Sequence, residues 1–174
     1  MSKTSKILIM GLPGAGKTWF AERLQKYIPD TAWYNADVIR KAANDWDFSP
    51  DGRERQANRM SNIADFEGWN GRNVICDFVC PTNEARALFN ADLVIWIDTI
   101  TAGRFEDTNK MFEKPDLNYP GLIHIDRHYS DEEIEAVAQS IITENTMATD
   151  VEDEDFAGVF GDSGQVPDFI RGDR

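Results

Sequence analysis

Gly11-Leu12-Pro13-Gly14-Ala15-Gly16-Lys17-Thr18 is the densest run of chemistry in the chain. It fits G-x-x-x-x-G-K-[ST] in full. Glycines at 11, 14 and 16, with Pro13 and Ala15 between them, let backbone amides crowd around phosphate oxygens that a Cβ would obstruct. A helix that starts at the end of the run aims its N-terminal amides at the same anion. Lys17 supplies an ammonium for the β- and γ-phosphates, and the Thr18 hydroxyl suits Mg²⁺. The chemistry these residues point to is the grip of a nucleoside triphosphate, ATP with Mg²⁺.

Transfer of a phosphoryl group then needs a carboxylate by the metal and a group that orients the acceptor hydroxyl. Three aspartates stand at the ends of apolar runs. Asp37 follows Thr31 to Tyr34, Asp77 follows Val74-Ile75-Cys76, and Asp98 follows Asp92 to Ile97. Each has a plainer reading as a helix-cap or turn aspartate. Asp37 is the leading candidate for catalysis and, with Thr18 and Asp77, for the metal. Asp98 is the weakest of the three. Arg40, Arg53, Arg55 and Arg59 gather in one polar stretch, and guanidinium forks suit phosphate or sulfate. Arginines on a helix also serve as a solvated face, which is the plain reading of Arg55.

These residues need an α/β frame. Lys6 to Met10, Thr31 to Tyr34, Asn73 to Val79, Asp92 to Ile97 and Leu122 to Ile125 read as five strands, rich in β-branched and aliphatic residues. Helical spacing appears over Thr18 to Ile28, Asp37 to Ala43, Arg53 to Trp69 and from Thr82 to Phe89. Ser130-Asp131-Glu132-Glu133 forms a capping box before a last helix that buries Ile134, Val137, Ala138 and Ile141. Strands that alternate with helices predict a three-layer α/β fold around a five-stranded parallel sheet. Thr101 to Pro120 is a long polar connection with the character of a lid, and Arg104 within it is a candidate contact for ATP.

The chain has 174 residues, enough for one domain with its own core. We expect that domain over 1–143 and an acidic, disordered tail over 144–174. The net charge of −13 argues against nucleic acid or an anionic membrane as the main partner. About half of that charge lies in the tail, where nine acidic residues face two basic ones. The body is therefore only mildly acidic and can hold a cationic pocket. Cys76 and Cys80, on one strand face, would stand about 13 Å apart, too far for a disulfide. They read as reduced thiols in a cytoplasmic protein. The apolar run Ile7 to Met10 is too short for a signal or a membrane span. A homodimer is left open.

The phosphate loop alone does not separate kinases from GTPases or motor ATPases. The guanine-reading Asn/Thr-Lys-x-Asp has only Asn109-Lys110-Met111-Phe112 as a counterpart, with Phe112 in place of the aspartate. A kinase with a small acceptor fits better.

From Ile7 to about Arg86 the chain resembles the adenylylsulfate kinases. The phosphate loop is similar. Asn35-Ala36-Asp37-Val38-Ile39-Arg40 resembles that family's Asp-Gly-Asp-Asn-Val-Arg, and Phe48-Ser49-Pro50-Asp51-Gly52-Arg53 resembles its Phe-Ser-x-x-Asp-Arg. Phe78-Val79-Cys80-Pro81 is similar to its Phe-Ile-Ser-Pro turn. The resemblance implies transfer of a phosphoryl group from ATP to the 3′-hydroxyl of adenosine 5′-phosphosulfate, a step of sulfate assimilation. It implies that Asp37 activates the hydroxyl, and that Phe48 stacks on the adenine. It further implies that Arg40 and Arg53 hold the anionic end, with Gln56, Arg59, Phe78, Val79 and Cys80 around the substrate. The sequence departs at Asn35 for the first aspartate, Gly52 for the aspartate before Arg53, and Cys80 for serine. The family's lysine- and glycine-rich lid has no counterpart in Thr101 to Pro120. Two other functions stay open: a kinase for another nucleoside, sugar or modified-nucleotide hydroxyl, and an ATP-binding regulator without transfer.

Overall fold

The computed structural model describes residues 3–159. Its strands are β1 (Lys6–Met10), β2 (Thr31–Asn35), β3 (Asn73–Asp77), β4 (Leu93–Ile97) and β5 (Leu122–Ile125). The helices are α1 (Lys17–Tyr27), α2 (Ala36–Ala43), α3 (Pro50–Trp69), α4 (Asn83–Phe89), α5 (Glu106–Met111) and α6 (Asp131–Val159). All strand pairs are parallel, in the order β2-β3-β1-β4-β5. This is the expected α/β fold with its five-stranded parallel sheet, of the P-loop kinase type.

Both faces of the sheet are covered, which is why its strands read as nearly unbroken apolar runs. Alternate residues point to opposite sides. Ile7, Ile9, Ile75 and Ile95 pack with Phe20 and Leu24 of α1 and with Ile134, Ala138 and Ile141 of α6. Leu8, Met10, Val74 and Cys76 pack with Met60 and Ala64 of α3 and Phe89 of α4. Fully burying one such aliphatic side chain contributes about 1.5–3 kcal/mol, so each layer is held mainly by these contacts.

The ends of elements differ from the sequence expectation in instructive ways. α3 begins at Pro50, earlier than Arg53, because Ser49 caps it: the Gly52 N–H donates to Ser49 Oγ at 3.2 Å, and Pro50 sits in the first turn. β3 stops at Asp77, where Phe78 leaves the sheet, and not at Val79. The lid expected over 101–120 contains a helix, α5, whose short polar sequence has no apolar period to reveal it. α6 runs on to Val159, past the domain end expected at residue 143. The stretch from Glu144 to Ala157 contains neither glycine nor proline to stop it. Residues 160–174 of the expected tail lie outside the described residues. Among the described residues, no helix is long and apolar enough to cross a membrane.

Candidate functional site

Parallel strands deliver their carboxyl ends to one edge of the sheet, and ligands bind in the crevice there. A cleft of about 1250 Å³ lies at that edge. Its walls come from the loop after β1, the ends of β2 and β3, the start of α3, and the lid.

The loop after β1 is shaped by glycines. Gly11 has φ 152°, and a Cβ there would stand 2.4 Å from the Ile97 carbonyl oxygen, so only glycine passes β4 this closely. Gly16 is left-handed at φ 102° and caps α1 with its backbone alone. Lys17 Nζ donates to the Leu12 carbonyl at 3.0 Å and so lies folded over the loop. Burial pushes the Lys17 ammonium down to about 8, against the pull of the Asp77 and Asp37 carboxylates. Thr99 Oγ1 bonds the Ala15 carbonyl at 2.6 Å and fixes the loop to the end of β4.

Asp77 is 1% exposed at the end of β3. Parallel register sets Asn35 directly beside it on β2. Asn35 Nδ2 donates to Asp77 Oδ1 at 2.7 Å and Trp33 Nε1 to Oδ2 at 2.7 Å. The Thr18 hydroxyl lies 3.5 Å from Oδ1 and accepts from Asn35 Nδ2 at 3.2 Å. Burial raises the Asp77 carboxyl above the usual range, opposed by its bonds from Trp33 and Asn35 and by Lys17. Asn35 also caps α2, its Oδ1 accepting from the Asp37 and Val38 amides at 3.0 and 3.1 Å. That cap turns Asp37 onto the exposed first turn of α2, on the cleft wall. Thr18, Asp37 and Asp77 form a set of hard oxygen donors, the kind that Mg²⁺ takes together with phosphate oxygens and water.

The opposite wall holds the arginine cluster. Arg40 is only 5% exposed; its guanidinium donates to the Asp45 and Asp47 carbonyls at 2.9 and 3.2 Å. It also underlies the Phe48 ring at 4.4 Å from the centroid. Arg53 Nε holds the Phe48 carbonyl at 2.9 Å, and its Nη2 reaches Asp107 of α5 at 3.2 Å. Arg40, Phe48, Arg53 and Gln56 thus converge on one wall, with exposed Trp46 beside them. Gln56 is buried and donates to the Ala36 carbonyl at 3.1 Å, which ties α3 to α2. Phe78 and Val79 also line the cleft.

One expected substrate contact, Arg59, does not line the cleft, and another, Cys80, lies at its lining while its side chain packs in the core. Arg59 is behind the wall: it pairs with Asp45 at 2.8 Å and bonds Gln56. Arg55 shares Asp45 at 2.7 Å, and the two guanidiniums hold that carboxyl well below its usual range. Cys80 has left-handed φ 44° and is 1% exposed, with its side chain in the core cluster of α3 and α4. Burial pushes its thiol up to about 12. Only its backbone is tied outward, through a 2.8 Å bond from Arg86 to its carbonyl. Asp98 pairs with His124 at 2.8 Å on the β5 side.

The lid crosses the phosphate loop closely. A Cβ on Gly103 would stand 3.0 Å from the Pro13 carbonyl oxygen. Asn109 clips this crossing with two bonds to the Gly103 backbone, at 2.8 and 2.9 Å. Arg104 and Phe105 then face the cleft. Sequence reading passed over Trp33, Asp45 and Asp107. Trp33 and Asn35 share a face of β2 by their two-residue spacing, but nothing local tells which neighbour they meet.

The profile of an AAA domain family matches residues 7–136. Among curated proteins none matches the chain. Solved structures with the same fold include a sugar kinase from Janibacter sp. HTCC2649, at TM-score 0.65 and 15% identity over 80% of this chain and 95% of that one. The APS kinase CysC of Mycobacterium tuberculosis, in complex with AMPPNP and APS, has TM-score 0.60 and 20% identity over 82% and 98%. A gluconokinase from Sinorhizobium meliloti 1021 has TM-score 0.57 and 13% identity over 88% and 99%.

Proposed function

The chain belongs to the AAA domain family, and from that membership we propose that it is an ATP-dependent kinase with a small-molecule hydroxyl as acceptor. The observation that carries this reading is the two-sided cleft. Lys17, Thr18, Asp37 and Asp77 face Arg40, Phe48 and Arg53 across one space.

In this reading the acceptor oxygen attacks the γ-phosphorus in line, and the bond from that phosphorus to the bridging oxygen of ADP breaks. Asp37 orients the acceptor hydroxyl and takes its proton. Lys17 and the loop amides neutralise charge on the transferring group. Thr18, Asp37 and Asp77 would hold Mg²⁺, which screens the phosphates when bound. The lid, with Arg104, covers ATP and keeps water out.

The acceptor we favour is adenosine 5′-phosphosulfate, phosphorylated on its 3′-hydroxyl. Support comes from the order Asp37, Arg40, Phe48, Arg53 along the chain and from their place around one cleft. A second reading, a neutral sugar or nucleoside, is favoured by the pairing of Asp107 with Arg53, which offsets a cation meant for an anionic acceptor. Coupled ADP release with adenosine 5′-phosphosulfate, beside a panel of sugars and nucleosides, tests both. Turnover with a neutral acceptor alone removes the first. Tight ATP binding with no turnover on any acceptor leaves a nucleotide-dependent regulator.

A further inference from the structure

We propose that Trp33 is a positioning residue for phosphoryl transfer: its indole N–H pins one oxygen of Asp77 so that the other is presented beside the Thr18 hydroxyl. The proposal rests on the kinase reading of the cleft, and it concerns a side chain outside the phosphate loop.

The argument starts from a carboxylate that has few neighbours to hold it. Asp77 is the last residue of β3, and its side chain turns toward α1. A buried carboxylate with free rotation about its Cβ–Cγ bond would present its lone pairs in no fixed direction. Here each oxygen has one strong donor. Trp33 takes Oδ2 and Asn35 takes Oδ1, both at 2.7 Å. The two donors come from one face of β2 and so fix the plane of the carboxylate between them. Of the lone pairs left over, the one on Oδ1 lies on the side of Thr18 and Lys17, and that is the side where the cleft lies. Charged groups facing this point are Lys17 from α1 and, beyond it, Asp37 from α2.

A plain packing role for Trp33 is the alternative. The ring does rest against the core cluster of α1 and α6. Packing would be met by phenylalanine or leucine, however, and neither donates a hydrogen bond. An indole N–H aimed at a buried carboxylate oxygen is a directional contact of the charge-assisted kind. Partners of this sort around a metal site typically change metal affinity or activity by about 10–100-fold when removed.

The test compares wild type with Trp33→Phe and Trp33→His. Phenylalanine keeps an aromatic ring without a donor, and histidine returns a ring N–H. The readouts are Mn²⁺ affinity of the protein–ADP complex by electron paramagnetic resonance, ADP affinity without metal, and turnover with the acceptor found above. Trp33→Phe is expected to lose about 10-fold in Mn²⁺ affinity and in kcat, with metal-free ADP affinity and acceptor KM unchanged. Trp33→His is expected to recover most of both. Trp33→Phe with a lower Tm but full Mn²⁺ affinity and kcat overturns the proposal. If Trp33→Phe does not fold, hydrogen exchange of the wild-type Trp33 indole decides: slow exchange supports the bond and fast exchange overturns it. Wild-type protein that holds no Mn²⁺ with ADP would remove the kinase reading itself, a result separate from any effect of Trp33.

Discussion

Arg53 of α3 meets Asp107 of α5 at 3.2 Å, Nη2 to Oδ2, and this contact joins the acceptor wall to the lid. Asp107 is largely exposed, so the pair adds about 0–1 kcal/mol to stability. Its effect on binding is separate. An anionic acceptor that needs Arg53 must compete with the Asp107 carboxylate, whereas a neutral one need not. Asp107→Asn is therefore expected to lower KM for adenosine 5′-phosphosulfate about 2- to 5-fold, with Tm nearly constant. Steady-state kinetics beside thermal unfolding read both. An unchanged KM would mean that Arg53 meets no anionic group of the acceptor.

Lys17 gives a pH dependence whose sign is fixed. Burial lowers its ammonium to about 8 from 10.5, so the folded chain releases that proton earlier than the unfolded one. Between these values the unfolded state binds more protons, and stability rises with pH. Below pH 8 the full cost of the buried charge is present, on the order of 2 kcal/mol after allowance for remaining water contact. Lys17→Met should be more stable than wild type at pH 7, and the gap should close toward pH 10.5. The same variant should lose at least about 100-fold in phosphoryl transfer. Urea unfolding across this pH range, with kinetics at pH 7, tests the pair of effects.

Asn35 departs from the aspartate of the resembling family, and the structure gives a physical reason. Its amide donates to Asp77 at 2.7 Å while its oxygen caps α2. Asn35→Asp keeps the cap but sets two carboxylates against each other at paired positions of β2 and β3. The expected loss is about 1–3 kcal/mol at pH 8. Millimolar Mg²⁺ should recover part of it, since a divalent cation offsets the repulsion. Thermal unfolding with and without MgCl₂ measures this; no loss at pH 8 would show that residues 35 and 77 do not interact.

How much of this was legible in the sequence follows physical lines. The five strands announced themselves because both sheet faces are covered and the runs are apolar throughout. The phosphate loop was legible because its function constrains consecutive residues. Asp37, Arg40 and Arg53 stood out by residue type and place, Phe48 through resemblance, and all four line one cleft. Trp33, Asp45 and Asp107 were not found, since their partners lie on other elements and only strand register or the path of the lid brings them together. α5 escaped because a short polar helix has no buried stripe. Arg59, expected beside the substrate, pairs with Asp45 and does not line the cleft, and sequence position alone cannot reveal that partner.

Gly52 stands where the resembling family has aspartate, and the start of α3 shows why a side chain is excluded. A Cβ there would meet the Asp47 carbonyl oxygen at 2.3 Å. Gly52→Ala must push the loop of Asp45 to Phe48 away from α3. The expected cost is about 1–3 kcal/mol, with a raised acceptor KM because Phe48 moves with the loop. ATP affinity should hold, since the phosphate loop is on the other wall. Urea unfolding and KM for each substrate separate these effects; an unaltered acceptor KM would show that Phe48 does not touch the acceptor.

Cys80 closes the comparison with the resembling family, whose turn carries serine at this place. If the residue served the acceptor through its side chain, Cys80→Ser would improve binding by restoring a hydroxyl. The structure argues the other way. The side chain is enclosed with Met60, Cys76 and Phe89 in the core, and the backbone is held at left-handed φ by the Arg86 bond to its carbonyl. A serine hydroxyl there would be taken from water without an evident partner, at about 1–3 kcal/mol. Cys80→Ser should therefore lower Tm and leave acceptor KM unchanged. A variant of equal stability with a lower KM would show that the side chain at residue 80, which lies at the cleft lining, meets the acceptor.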